Sequence, residues 1–194
     1  MTEISSICLF CGSKTGNDPA YRKAAERLGG AVAERGMRLV YGGGGIGLMG
    51  VAVEAALTAG GEVIGVIPEF LMRYEVGKPG ISELIVVNSM HERKRVMFEK
   101  SDAFVILPGG LGTLDEAIEV ITWKQLQLHA KPVVLIDAGG YWKPLKDLVA
   151  HVVLAGFAHP AVAELFTIVN SVDEVFDAIA SAPEPRIEVL TDHL

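Results

Sequence analysis

The strongest constraint on this chain is the character of its strand-length stretches. Ser6–Cys11, Arg38–Tyr41, Glu62–Ile67, Leu84–Val87, Ala103–Leu107 and Pro132–Asp137 are dominated by apolar residues with no alternation, and Phe166–Val169 reads the same way. A strand that is apolar on both faces must be covered on both. The covering elements lie between them. Asp18-Pro19 opens a helix to about Arg35, with Asp18 as N-cap and Gly36 as its stop. Helical patterns follow over Val51 to about Ala59, Met90–Lys100, Gly112–Leu128, Tyr141 to about Ala155 and Val172–Ala180. Phe70–Gly80 reads as irregular. Alternation of this kind predicts an α/β fold: a single-domain, doubly wound, Rossmann-like parallel sheet with helices on both faces. The domain is expected over residues 1–181, with 182–194 a loosely held tail carrying Pro183 and Pro185.

Ligands of such sheets bind at the carboxyl ends of the strands. The turns after the first, second and fifth strands are all rich in Gly or Ser there. The most informative is Pro108-Gly109-Gly110-Leu111-Gly112-Thr113-Leu114-Asp115-Glu116. A glycine-rich turn between a buried strand and a helix leaves backbone N–H groups unpaired at the helix start, where the dipole adds positive character. That is a phosphate site, to which Thr113 adds a hydroxyl. Glu116, on the first helical turn, is poorly placed as a second phosphate ligand because the anions repel. It is better placed to face a sugar attached to the phosphate, although a carboxylate there also simply complements a helix N-terminus.

The turn after the second strand, Gly42-Gly43-Gly44-Gly45-Ile46-Gly47-Leu48-Met49-Gly50, fits G-x-G-x-x-G in two registers. So dense a glycine run means a close approach to the backbone, either by a nucleotide or by a packed helix. With Ser13 and Met90, Gly43, Gly44 and Gly45 are candidate nucleotide contacts. The run lacks the Gly-Lys-Ser/Thr ending of a P-loop, and Glu69 stands outside the strand end where a nicotinamide cofactor needs its acidic partner. Met90-His91-Glu92-Arg93-Lys94-Arg95 then opens a helix at the same binding edge. An Arg there can form paired bonds to a carboxylate or phosphate. His91 has no second ligand at metal spacing. Cys8 and Cys11 form a lone C-x-x-C inside a strand, which reads as two reduced thiols rather than as a redox or zinc motif.

A net charge of −7 over 194 residues argues against nucleic acid as a partner. The N-terminus lacks a secretory pattern and no apolar run spans a bilayer, so a cytoplasmic protein with no membrane partner is expected.

Met90-His91-Glu92-Arg93-Lys94, together with Pro108 to Glu116, resembles the LOG (Lonely guy) family of cytokinin-activating phosphoribohydrolases, often mislabelled possible lysine decarboxylases. The likeness extends from Cys11-Gly12-Ser13 to Ile121-Thr122-Trp123 and departs at Asp115, where Glu is expected. It implies hydrolysis of the N-glycosidic bond of an (N6-modified) adenosine 5′-monophosphate, releasing free base and ribose 5-phosphate, with neither metal nor organic cofactor. Arg93 and Glu116 match the family's catalytic positions. Glu75, Arg93, Lys94, Gly109, Gly110, Leu111, Gly112, Thr113, Leu114 and Asp115 match its substrate-binding positions, as does Thr122. Nothing in the chain resembles a pyridoxal phosphate Schiff-base site. The alternative is a nucleotide- or cofactor-binding carrier on the same fold, without turnover. Finally, Ile118, Val120, Ile121, Trp123, Leu126 and Leu128 make the helix carrying Glu116 apolar nearly all round, so it is expected to bury against the core and a second chain. The expected state is a homodimer, in agreement with the family.

Overall fold

The computed structural model describes residues 4–72 and 80–183. Among the described residues, seven strands form one sheet: β1 (Ser6–Phe10), β2 (Arg38–Tyr41), β3 (Val63–Pro68), β4 (Glu83–Val87), β5 (Ala103–Ile106), β6 (Val133–Ile136) and β7 (Thr167–Val169). Their order is β4-β3-β2-β1-β5-β6-β7, and every pairing is parallel. The helices are α1 (Pro19–Glu34), α2 (Gly47–Thr58), α3 (Met90–Glu99), α4 (Leu111–Gln125), α5 (Lys143–Leu154) and α6 (Val175–Ala180).

Alternate strand residues feed opposite layers, as the pleat requires. Ile7 and Leu9 pack with α1, α2 and α6 residues such as Leu28, Val53 and Val175. Cys8 and Phe10 pack with Met97 of α3, Ala117 and Val120 of α4, and Leu145 of α5. The doubly wound, two-faced architecture expected from the apolar runs is therefore the one observed. The order in which strands are added reverses at β1, which has β2 on one side and β5 on the other. That is the switch point at which such sheets open a crevice.

Element boundaries shift where glycine misleads. Helix α2 begins at Gly47, a turn ahead of the expected Val51, so Gly50 is helical, while Gly47 opens the helix in the left-handed region at φ 61°. Their reason is closeness: a Cβ at Gly50 would stand 2.3 Å from the Gly45 carbonyl oxygen, and one at Gly47 2.2 Å from the Ser13 carbonyl carbon. Apart from Ala182 and Pro183, the expected loose tail falls outside the described residues. No helix among the described residues is long and apolar enough to cross a membrane.

Candidate active site

Three turns meet at the carboxyl edge and are tied by their own backbones. Leu107 N donates to Phe10 O at 2.9 Å, Gly12 N to Pro108 O at 3.0 Å, and Leu48 N to Gly12 O at 3.0 Å. The turns after β1, β2 and β5 thus form one rigid rim. Gly109 is demanded by this closeness, since a Cβ there would lie 2.1 Å from Thr113 Oγ1 and 2.8 Å from Gly12 N.

Helix α4 starts from this rim. Its N-cap, Gly110, is extended and offers no side-chain acceptor to the helix, so the first-turn amides are left for another acceptor. The residues that carry them line a cavity of about 250 Å³. Gly110, Leu111, Gly112, Thr113, Asp115 and Glu116 form one wall; Ser13, Gly42, Met90 and Arg93 stand across it. Leu9, Cys11 and Met49 form an apolar floor.

Arg93 comes from α3, whose start is well capped. The Ser89 side chain accepts from Glu92 N at 3.1 Å, and the Glu92 carboxylate accepts from Asn88 N at 2.8 Å. The Arg93 side chain is buried, with Nε donating to Val66 O at 3.1 Å and Nη2 to Gly42 O at 2.5 Å. Its guanidinium therefore joins the carboxyl ends of β2 and β3 while lining the cavity. Gly42 makes room for it, because a Cβ there would sit 2.1 Å from Nη2.

Lys94 points elsewhere. Its ammonium pairs with Asp115 Oδ2 at 3.1 Å and Glu119 Oε2 at 3.0 Å, joining α3 to α4. Partial burial works to lower its pKa, but the Glu119 and Asp115 carboxylates outweigh this and hold it above the usual lysine value. Both cysteines are free and buried. Burial, and then the nearby Glu116 carboxylate, push both thiols well above the ordinary range, so Cys11 enters the cavity as a neutral thiol rather than a nucleophile.

Of the residues singled out from sequence, Ser13, Met90, Arg93, Gly110, Leu111, Gly112, Thr113, Asp115 and Glu116 share this cavity. Gly109 and Gly110 line an adjoining space of about 390 Å³ with Lys14, Tyr21 and Tyr141. Gly43, Gly44 and Gly45 do not line the cavity; Gly43 is needed instead because a Cβ would come within 2.8 Å of Ile67 Cβ. Leu114 packs into the core. Thr122 is exposed on α4 and does not line this chain's cavity. Glu75 lies outside the described residues. Sequence reasoning missed Leu9, Cys11, Gly42 and Met49 as lining residues, although strand ends and the glycine run pointed at their neighbourhood. It also missed Tyr141, whose hydroxyl donates to Gly109 O and which no motif announces. No group of three or more His, Cys, Asp or Glu side chains among the described residues is placed to hold a metal.

A family model described as possible lysine decarboxylase matches residues 49–179. A probable cytokinin riboside 5′-monophosphate phosphoribohydrolase of Oryza sativa subsp. japonica is 51% identical over 82% of this chain and 70% of its own. The cytokinin riboside 5′-monophosphate phosphoribohydrolase of Rhodococcoides fascians is 44% identical over 91% of this chain and 89% of its own. One from Arabidopsis thaliana is 42% identical over 100% of this chain and 88% of its own. Among solved structures, the molybdenum cofactor carrier protein of Chlamydomonas reinhardtii superposes with a TM-score of 0.71 at 23% identity, covering 93% of this chain and 98% of that one. A molybdenum cofactor binding protein from Rippkaea orientalis gives 0.69 at 24% identity over the same shares. Identities that low speak for the fold alone. The family match and the sequence identities speak for more: this chain belongs to the family that carries the possible lysine decarboxylase description and includes the cytokinin riboside 5′-monophosphate phosphoribohydrolases.

Proposed function

We propose that this protein hydrolyses the N-glycosidic bond of an adenosine 5′-monophosphate, plain or N6-modified, to free base and ribose 5-phosphate. The observation that carries the reading is one cavity shared by the open N-terminus of α4, the Glu116 carboxylate one turn further on, and the buried Arg93 guanidinium. The relatives bearing the phosphoribohydrolase name support it.

In this reading the 5′-phosphate rests on the first-turn amides of α4 and the Thr113 hydroxyl, which sets the ribose over Glu116. As the C1′–N bond breaks, its electron pair leaves with the base and positive charge builds on the sugar. Glu116 stabilises that charge and orients the attacking water, whose oxygen bonds to C1′ and whose proton balances the departing base. Arg93 is a fixed positive charge beside the ring. It cannot drift, because two strand-end carbonyls hold it. Lys94 acts indirectly, through Asp115 and Glu119 on the helix that bears Glu116. No metal or organic cofactor enters the scheme.

We further infer a homodimer. Leu111, Asp115, Ile118, Thr122 and Leu126 are all exposed and recur at helical spacing on one side of α4, with Leu111 85%, Ile118 45% and Leu126 51% accessible. An exposed apolar stripe of that kind suits burial against a second copy. The substrate role that the family resemblance gives Thr122 then belongs to Thr122 of the partner subunit. The two unpaired thiols fit a reducing, cytoplasmic setting.

The test is incubation with AMP and with N6-isopentenyl-AMP, measuring free base and ribose 5-phosphate. Wild-type protein should release base, and Glu116→Gln should lower turnover by roughly 10²–10⁴-fold while keeping most of its affinity for ribose 5-phosphate. Binding of nucleotide without release of base by the wild type would replace the hydrolase with a carrier.

A further inference from the structure

The phosphate site depends on which way one peptide plane faces. The Gly109–Gly110 peptide stands between the candidate active-site cavity and the adjoining space that holds Tyr141. The Tyr141 hydroxyl donates to Gly109 O, so that carbonyl is drawn to the Tyr141 side. All described peptides are trans. In a trans peptide the C=O and the following N–H point in opposite directions. The Gly110 N–H is therefore turned away from Tyr141, towards the cavity in which α4 begins.

Nothing in the local chain would hold that orientation alone. A peptide between two glycines can rotate by about half a turn, because glycine accepts φ of either sign. Gly110 has φ −86° and would pass to about +90°, a region closed to other residues. The flipped plane would present a carbonyl oxygen, not an amide, to an anion. Tyr141 itself is well fixed. It follows the tight turn Ala138–Gly140, and Trp142 N donates to Asp137 Oδ1 at 2.6 Å. Its ring meets Tyr21 and Trp142 edge-on, with centroids 5.7 and 4.9 Å apart.

The geometry points to Tyr141 as a positioning residue that locks the Gly109–Gly110 peptide with its N–H facing the phosphate. It never touches substrate. This deepens the reading above and rests on its placement of the phosphate at the start of α4.

The test is a double-mutant cycle read by calorimetric titration with ribose 5-phosphate and with inorganic phosphate. Tyr141→Phe keeps both ring contacts and removes only the donor. It should bind ribose 5-phosphate roughly tenfold more weakly, with the KM for the 5′-monophosphate rising in step and kcat within about twofold of wild type. Gly110→Ala supplies the discriminating background. An Ala fits φ −86°, meets nothing within 4 Å, and disfavours the flipped plane. In that background the Tyr141→Phe loss should shrink to under about threefold, which a merely structural tyrosine would not show. Independently, the Gly110 amide resonance should shift on adding phosphate to wild type and stay put in Tyr141→Phe. Unchanged ribose 5-phosphate binding in Tyr141→Phe, or an amide shift equal to wild type, overturns the lock and leaves the hydrolase reading standing. Normal binding by a wild type that releases no base does the reverse. A wild type that binds neither ligand removes the lock together with its anion site.

Discussion

Arg93 shows how one side chain can be both scaffold and reagent. Its Nε and Nη2 hold the carbonyls of Val66 and Gly42, and the remainder of the guanidinium lines the cavity. Lysine retains the charge but has neither the planar fork nor the reach to serve two acceptors. Arg93→Lys should therefore cost about 2–3 kcal/mol in denaturant unfolding as well as abolish most turnover. A loss of activity with unchanged stability would mean that the strand-end bonds contribute little. The sequence brought Arg93 and Glu116 forward because motifs carry them, and it placed the glycine-rich turn after β5 at the carboxyl edge, where its residues line the cavity. It could not reveal that Lys94 is engaged by Asp115 and Glu119, or that Gly43 answers to Ile67. Those facts depend on which elements become neighbours, not on local pattern. Tyr141 was invisible for the same reason: it acts on a residue 32 positions away.

At the scale of elements, α4 does most of the positioning, and both of its ends can be examined. Its C-terminus closes in a Schellman arrangement, with Leu128 N donating to Trp123 O at 2.9 Å and Gln127 N to Lys124 O at 3.0 Å. The residue in the left-handed position is Gln127, φ 58°, where glycine is free of strain. Gln127→Gly should raise stability by roughly 0.5 kcal/mol, measured as a shift in urea midpoint at constant slope. Just beyond, the His129 Nε2 donates to Val120 O at 2.8 Å and Nδ1 accepts from Lys131 N at 3.1 Å. Those bonds describe the neutral ring. Burial lowers its pKa below the usual value, against the opposing pull of the Val120 carbonyl. The unfolded chain then binds the proton first as pH falls below about 6.5, so stability contributed by neutral His129 is complete above that pH and drains away beneath it. His129→Gln should flatten this acid slope; an unaltered slope would assign it to carboxylates elsewhere. The helix was legible in sequence to within a turn at each end. Which side meets what was not. The apolar wheel predicts burial against the core and a second chain, without saying that Thr113, Ala117, Val120 and Lys124 are the face turned to this chain's own core and that Ile118 and Leu126 are exposed on it.

Taken as a whole, the molecule is a parallel sheet whose chemistry gathers at its middle. The alternation of apolar runs and helices made the architecture readable before any contact was known, since a parallel sheet must be covered on both faces. Assembly was readable only as an expectation, and the exposed stripe of α4 now gives it a place to be tested. Ile118→Glu should turn a dimer into a monomer in analytical ultracentrifugation and lower turnover in proportion, if Thr122 of the partner subunit completes the site. A wild-type monomer with full activity would count against both. The strand order carries one more consequence. The cavity draws on β1, β2 and β5 and leans through Arg93 on β3, while β7, three residues long, closes one edge of the sheet. Edge elements open most readily in local unfolding. In hydrogen exchange, the amides of β7 and α6 should therefore trade protons with solvent at opening energies well short of those at the rim, and the pocket should stay assembled while that flank breathes.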